Sequence, residues 1–292
     1  MSRSLRDIQQ QIQSTEKTKQ ITNAMHMVAS SKLGKSETAN DAFIQYAEKI
    51  DQIVHHIVDS YDDHKHPILI PRKVKKTAYF VITSDRGLAG PFNSHVLRRL
   101  EELIVERHQS KEEYTIIVIG KIGRDYFKNR QMPVLRAVTD LPDRPYFSDL
   151  EDLTFETVQH FIDGEFDQLE LIYNYFVTAM SQEVKVKKVL PLITEEEVAD
   201  IQKPKHSEFI FEPNEEQILN ALLPQYAESL IYDAFLESKA SENASRMNAM
   251  RSATDNADEM ISDLRLQYNR ARQAKITQEL TEIISGSSAS EA

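Results

Sequence analysis

The sequence predicts an α/β domain set between two long helices that pair as an antiparallel coiled coil. Three observations predict it. The two ends of the chain lack helix breakers, and their apolar residues recur at steps of three and four. The middle alternates apolar runs of strand length with helical stretches.

Glycine and proline punctuate structure. Before Pro67 the only such residue is Gly34, and between Pro224 and Gly286 there is none. Both ends therefore read as helices far longer than the usual three or four turns. At ~1.5 Å rise per residue, about 60 residues of helix reach roughly 90 Å, more than a compact core can cover. The N-terminal stripe runs Leu5, Ile8, Ile12, Thr15, Thr18, Ile21, Met25 and Val28. It thins around 30–40 and resumes at Phe43, Tyr46, Ile50, Ile53 and Ile57. The C-terminal seam is sharper: Met247, Met250, Thr254, Ala257, Ile261, Leu264, Tyr268 and Ala271, the beat of a coiled coil. Each helix is the simplest partner for the other, and Ala253 and Ala257 would let the backbones approach closely. Met25, Met27, Met247, Met250 and Met260 read as seam packing, with an adaptable sliding surface as the alternative.

The middle carries "KTAYFVIT" (76–83), "YTIIVIG" (114–120), "MPVLRAVT" (132–139), "LELIYNYFVTAM" (169–180) and "EVKVKKVLPLI" (183–193) as strands. Between them lie "SHVLRRLEELIVERH", "KIGRDYFKNR" and "DLEDLTFETVQHFIDGEF" as helices. That order predicts a largely parallel sheet. Residues 191–213 read as a connector. The expected division is a discontinuous helical shaft of 1–64 and 214–286, an α/β domain over 75–200, and a flexible tail at 287–292.

Bulk properties exclude several classes. With 40% apolar and 28% charged residues the 292-residue chain is an ordinary folded protein, and no run nears the ~18 apolar residues of a membrane span. The start "MSRSLRDIQQQ" has no apolar signal segment, so a cytoplasmic protein is expected. Absent cysteine removes disulfides, thiolate nucleophiles and zinc-thiolate sites. A net charge of −11 argues against nucleic acid as partner. The charge is uneven: roughly +4 over residues 1–35, about −14 in the middle and about −1 from 246 onward. Arg265, Arg270, Arg272 and Lys275 form a stretch without an acid.

"TSDRGLAGPFN" sits between a strand and a helix, where glycines and helix amides can hold an anion. Gly87 and Gly90 match neither dinucleotide nor P-loop spacing, and Pro91 removes an amide. It reads as a tight turn, with a bound nucleotide as the alternative. "GKIGRDYF" is a second such junction. "DDHKHP" (62–67) reads as a solvated turn, with metal held by His64 and His66 as the alternative. His55 and His56 read as surface positions, and Glu195–Glu197 as a solvated charge run. No catalytic residue, cofactor site or metal site is assigned.

Three stretches resemble the gamma subunit of the F-type ATP synthase: "TKQITNAMHMVASSKL" (18–33), "SDRGLAGPFN", and above all "AMRSATDNADEMISDLRLQYNRARQAKITQELTEIISG" (249–286). The resemblance implies a non-catalytic rotor shaft turning inside an alpha/beta hexamer. It implies a Rossmann-like foot on the membrane c-ring, touching the epsilon subunit. It carries subunit contacts onto Met25, Arg270, Arg272, Gln273 and Thr277, and a foot position onto Phe209 and Phe211. It also implies an apolar tip of Ile276, Leu280, Ile283 and Ile284 in a dry sleeve. Ala89 stands where many members have cysteine, and Asn23 and His26 depart from the common charges beside Met25. The start of the chain and the missing redox insert favour a bacterial enzyme, peripheral on the cytoplasmic face of the cell membrane. A stand-alone nucleotide-binding α/β protein with a coiled-coil dimerisation arm is the alternative from another class; a coiled-coil adaptor is a third.

Overall fold

The computed structural model describes residues 4–60, 66–69, 71–142, 146–192 and 215–290. Within these, the side chains of 55–60, 215–216 and 285–290 fall outside the description. Ile57, His55 and His56 are among those; His64, Glu195–Glu197, Phe209 and Phe211 lie outside the described residues. The elements run α1 (Leu5–Ser60), β1 (Thr77–Ile82), α2 (Phe92–Arg107), β2 (Tyr114–Ile119), α3 (Lys121–Asn129), β3 (Val134–Val138), α4 (Ser148–Ile162), β4 (Gln168–Phe176), β5 (Gln182–Leu190) and α5 (Glu215–Ser290). The chain divides into two units: Met1–Ala29 with Met247–Ala292, and Ser30–Arg246.

The second unit holds a five-stranded sheet of order β3-β2-β1-β4-β5. β1 pairs parallel with both β2 and β4, from Thr77 opposite Tyr114 and Gln168; β3 pairs parallel with β2. β5 returns antiparallel on β4, with Ile172 opposite Val186. β1 and β2 are buried along their whole length, which explains their unbroken apolar runs: helices cover both faces. One face packs Phe80, Ile117, Leu171 and Tyr173 against α4 and against Ile50, Val54, Ile231 and Phe235 of the long helices. The other packs Tyr79, Val81, Val118 and Ile172 against α2 and α3 through Val96, Leu100 and Phe127.

The predicted strands hold, with trimmed ends. β4 stops at Phe176 because the chain turns back, the Ser181 amide donating to the Thr178 carbonyl at 3.2 Å. β5 stops at Leu190, before a proline that has no N–H for the ladder. Pro224, read as punctuation, lies inside α5. Leu219, Leu223, Tyr226 and Ala227 around it are all buried, and that packing outweighs the lost backbone bond.

The first unit is an antiparallel helix pair. Thr22 and Thr254 share a hydroxyl hydrogen bond at 2.8 Å. Thr15 donates to the Met260 sulfur at 3.8 Å, and Arg265 pairs with Glu16 at 2.9 Å. The C-terminal seam is as predicted, with Met250, Ala257, Ile261 and Leu264 buried. The N-terminal stripe needs correction. Ile21 is 60% and Val28 54% exposed, and Thr18 is also exposed, whereas Ile8, Thr22, Ala29 and Leu33 are buried. Two successive steps of three carry a helix about 120° off its line; the true seam restores itself with a step of four from Thr15 to Lys19. In the second unit Tyr46 and Ile53 are likewise outside and Val54 inside, the buried line stepping by four from Ile50 to Val54. Met27 and Met260 are 58% and 50% exposed, so packing accounts fully only for Met250.

Ala257 is 6% exposed in this seam. Ala257→Leu is expected to overfill it and cost about 1–3 kcal/mol, read as a fall in thermal stability; an unchanged melting curve would contradict this packing.

Candidate functional site

At the carboxyl ends of β1 and β2, the residues singled out in the sequence are occupied with one another. Thr83 follows β1 and accepts from the Gly123 amide at 3.0 Å while donating to the Ile119 carbonyl at 2.7 Å. Asp85 takes the Lys121 amide on one oxygen and the Asp140 amide on the other. The Ile122 amide donates to the Ser84 carbonyl. The first three amides of α3 are thus all bonded within the chain, and none is left to cradle a phosphate.

The 84–93 loop closes in the same manner. Asn93 accepts from the Ser84 amide at 2.9 Å and donates to its hydroxyl at 2.8 Å, and the Ser84 hydroxyl also donates to the Arg86 carbonyl. Leu88 and Gly90 take left-handed backbone angles, and carbonyls of the loop meet α5. There Ser245 donates to the Ala89 carbonyl at 2.7 Å, and Arg246 donates to the Arg86 carbonyl at 3.1 Å. Glu242 steadies Arg246 at 2.9 Å and takes Lys239 at 3.0 Å, all three side chains being largely buried. The loop is a clasp on the long helix. Sequence reading missed it because the contact spans about 160 residues and serine and arginine on a helix announce nothing by themselves.

Beside the clasp, where the strand order reverses between β1 and β4, a doubly wound sheet would bind its ligand. The crevice there is about 240 Å³ and is lined by Phe92, His95, Asn174, Met180, Gln182 and Ser245. That is below the ~300 Å³ of ordinary ligand sites, and His95 is its one ionisable lining group. Asn174 is spent on the Phe92 carbonyl at 2.9 Å. The geometry favours the turn reading over the nucleotide reading. His66 likewise accepts the Ile68 amide on its Nδ1 at 3.2 Å.

Arg246→Ala is expected to free the 84–93 loop and leave the Glu242 carboxylate with Lys239 alone. A loss of about 2 kcal/mol follows from a charged hydrogen bond and a half-paired buried acid. Faster amide exchange across 84–93 would register it; unchanged exchange would deny the clasp.

The helix pair presents a different surface. α1 begins at Leu5 in a reciprocal cap, the Asp7 amide on the Ser4 hydroxyl and the Ser4 amide on the Asp7 carboxylate. The last partly buried seam residue of α5 is Ala271, and every residue described from Arg272 to Ile284 is exposed. Ile276, Leu280, Ile283 and Ile284 are 48%, 54%, 67% and 65% exposed. Gln273 and Thr277 lie on this stretch, joined by the Thr277 hydroxyl donating to the Gln273 carbonyl. Arg270 and Arg272 are exposed and have no ion pair among the described residues. Met25, half-buried on α1, is not brought to them. The Thr22–Thr254 register sets it opposite the neighbourhood of Arg251, roughly 30 Å down α5 from Arg272 at ~1.5 Å per residue.

Residues 4–289 match a protein-family model described as ATP synthase. Among solved structures, the chain is similar to one in the Tetrahymena thermophila mitochondrial ATP synthase central stalk and c-ring. The identity there is 26%, over 80% of this chain and 99% of that one, with a TM-score of 0.62. It is also similar to a chain of the Euglena gracilis mitochondrial ATP synthase OSCP/F1/c-ring structure, at 19% identity over 98% of this chain and 94% of that one, TM-score 0.71. A chain of the Euglena rotor structure matches at 20% identity over 93% and 98%, TM-score 0.65.

Proposed function

The chain belongs to the ATP synthase gamma-subunit family, and from that premise we propose where its rotor contacts lie. It is the central rotor shaft of the complex, coupling proton flow to ATP synthesis or hydrolysis, and has no catalytic role of its own. Its partners are the alpha and beta subunits, the epsilon subunit and the membrane c-ring. The observation that carries the placement is the uncovered end of α5. An isolated helix with four exposed large aliphatics over Ile276–Ile284 gains by entering an apolar sleeve. A sleeve of that kind grips without directional bonds, so the shaft can turn in it.

Arg270, Arg272, Gln273 and Thr277 lie at the root of that end. They are proposed to meet polar and acidic loops of the surrounding subunits, where charge-assisted hydrogen bonds form and break as the shaft turns. Met25, lower on the pair, is proposed to face a lever of the beta subunit. Phe209 and Phe211 are proposed for the foot, with the shaft drawn from 1–64 and 214–286. No helix among the described residues is long and apolar enough to cross a membrane; the subunit is peripheral on the membrane sector. We place it on the cytoplasmic face of a bacterial cell membrane; the cysteine-free sequence, which carries no thiol-based redox insert of the chloroplast kind, supports this reading.

The test is Arg272→Ala in the assembled ATP synthase. Loss of one charged contact worth ~1.4 kcal/mol at the turning step predicts about a tenfold fall in ATP hydrolysis. Unchanged hydrolysis, or a chain that purifies from native membranes without alpha and beta subunits, would overturn the reading.

A further inference from the structure

Most of residues 226–245 of α5 are buried in the second unit, and three acids sit among them without an ion pair to any described residue: Glu228, which is buried, and Asp233 and Glu237, which are half-buried. Glu242 has Lys239 and Arg246; Glu228, Asp233 and Glu237 do not share that arrangement. Asp233 and Glu237 are one turn apart and so occupy one face. Glu237 keeps one carboxylate oxygen, Oε2, buried with no hydrogen-bond partner. The hydroxyl of Tyr173 on β4 lies near enough to act on the same carboxyl.

The surroundings are fully specified by the sheet register. Tyr173 pairs with Lys185 and Leu171 with Lys187, which puts both lysines of β5 on the face that α5 covers. Lys185 is stacked on the Tyr175 ring. The groups that act on Glu237 are therefore Asp233 on its own helix, Tyr173 on β4, and Lys185 and Lys187 on β5. The two lysines are near enough to be felt, yet make no ion pair with it among the described contacts. An ionised Glu237 in this seat leaves a buried, unsolvated oxygen beside a second acid, and the protonated form avoids that cost.

We propose that the Glu237 carboxyl is a proton-held latch on the seat of α5: protonated, it stays packed against Tyr173, and ionised, it draws this stretch of helix away from β4 and β5. Burial, and then the neighbouring Asp233, push Glu237 from its ordinary 4.5 up to about 7. Because the value in the seat lies above the exposed one, the latch contributes its full stability below about 4.5. That contribution is lost as pH rises and is gone above about 7. Asp233, also raised by burial, adds to the same slope. Glu228 is raised to about 7 as well, but by burial and by Glu151 of α4, at a separate contact. The latch stands on the packing of this unit alone and does not depend on the rotor assignment.

Amide exchange of the full chain, corrected for intrinsic rates, tests it. Local opening of 233–241, the turns that carry Glu237 and leave Glu228 outside, is expected to rise about 50-fold from pH 5 to 7.5 and then level off. Glu237→Gln should reduce that rise to about fivefold or less, while Glu228→Gln leaves it in place. A flat wild-type profile, a slope that persists in Glu237→Gln, or one abolished by Glu228→Gln would each overturn the latch. Should Glu237→Gln not fold, the infrared carboxylic-acid band of the wild type and of Tyr173→Phe decides. Tyr173 holds the Glu237 value down, so its loss should move the midpoint upward. A midpoint near 4.5, or one that Tyr173→Phe does not move, rejects the proposal.

Discussion

Gly120→Ala is expected to cost the α/β unit about 2–6 kcal/mol, a large share of the ~5–15 kcal/mol that holds a domain folded. Gly120 has φ +99, a conformation that L side chains rarely adopt, and a Cβ built there would sit 2.4 Å from the Thr83 carbonyl oxygen. The obstacle is backbone, so no rotamer change relieves it. Thr83 cannot retreat either: its amide donates to the Ile119 carbonyl at 2.9 Å and its hydroxyl holds the Gly123 amide. Strain of about 1–3 kcal/mol from the backbone angle adds to overpacking of about 1–3 kcal/mol. Urea denaturation reads the loss directly. Gly87→Ala is the control, since nothing lies within 4 Å of a Cβ at Gly87; its midpoint should stay within about 0.5 kcal/mol of the parent. Equal effects at the two glycines would refute the close approach of α3 to β1.

Ile261→Asp is expected to part the helix pair. Ile261 is 6% exposed in the seam. Its loss removes about 1.5–3 kcal/mol of burial, and the new carboxylate must be desolvated or protonated at a cost of several more. A two-helix rod has no third layer to share that load, so local splaying is the expected response. Spin labels at Asn23 and Asp255, exposed positions beside the Thr22–Thr254 bond, should give a narrow distance distribution in the parent and a broad one in the variant. A narrow distribution in both would mean that the seam is held by something other than its apolar line. The surface ion pairs do not offer that: Lys19–Asp258 and Glu16–Arg265 are 39–64% exposed, a setting in which such pairs add little.

Some of the local structure around the candidate residues was legible in advance because it is set within a few residues. The exposed end of α5 follows from where the apolar steps of the first helix begin; the cap at Ser4–Asp7, though equally local, was not among the sequence expectations. The 84–93 loop was legible as a turn, since Gly87, Gly90 and Pro91 fit no phosphate loop. Its engagement by Ser245 and Arg246 was not, because a carbonyl of one element and a hydroxyl of another have no shared signal along the chain.

What the sequence determined by itself is the kind and order of the elements: five strands, the helices between them, two helices without breakers, and the C-terminal seam from Met247 to Ala271. These follow from periodicity and turn chemistry, which act over a few residues. Tertiary structure alone decided which face of α1 is inside. Candidate stripes through Thr18–Ile21 and through Lys19–Thr22 differ by one residue, and only the register with α5 selects between them. It also decided that a helix runs through Pro224 and that one carboxylate oxygen of Glu237 loses its solvent. In each case burial against a distant element outweighs a local preference of about 1–3 kcal/mol, and no window of sequence contains both partners.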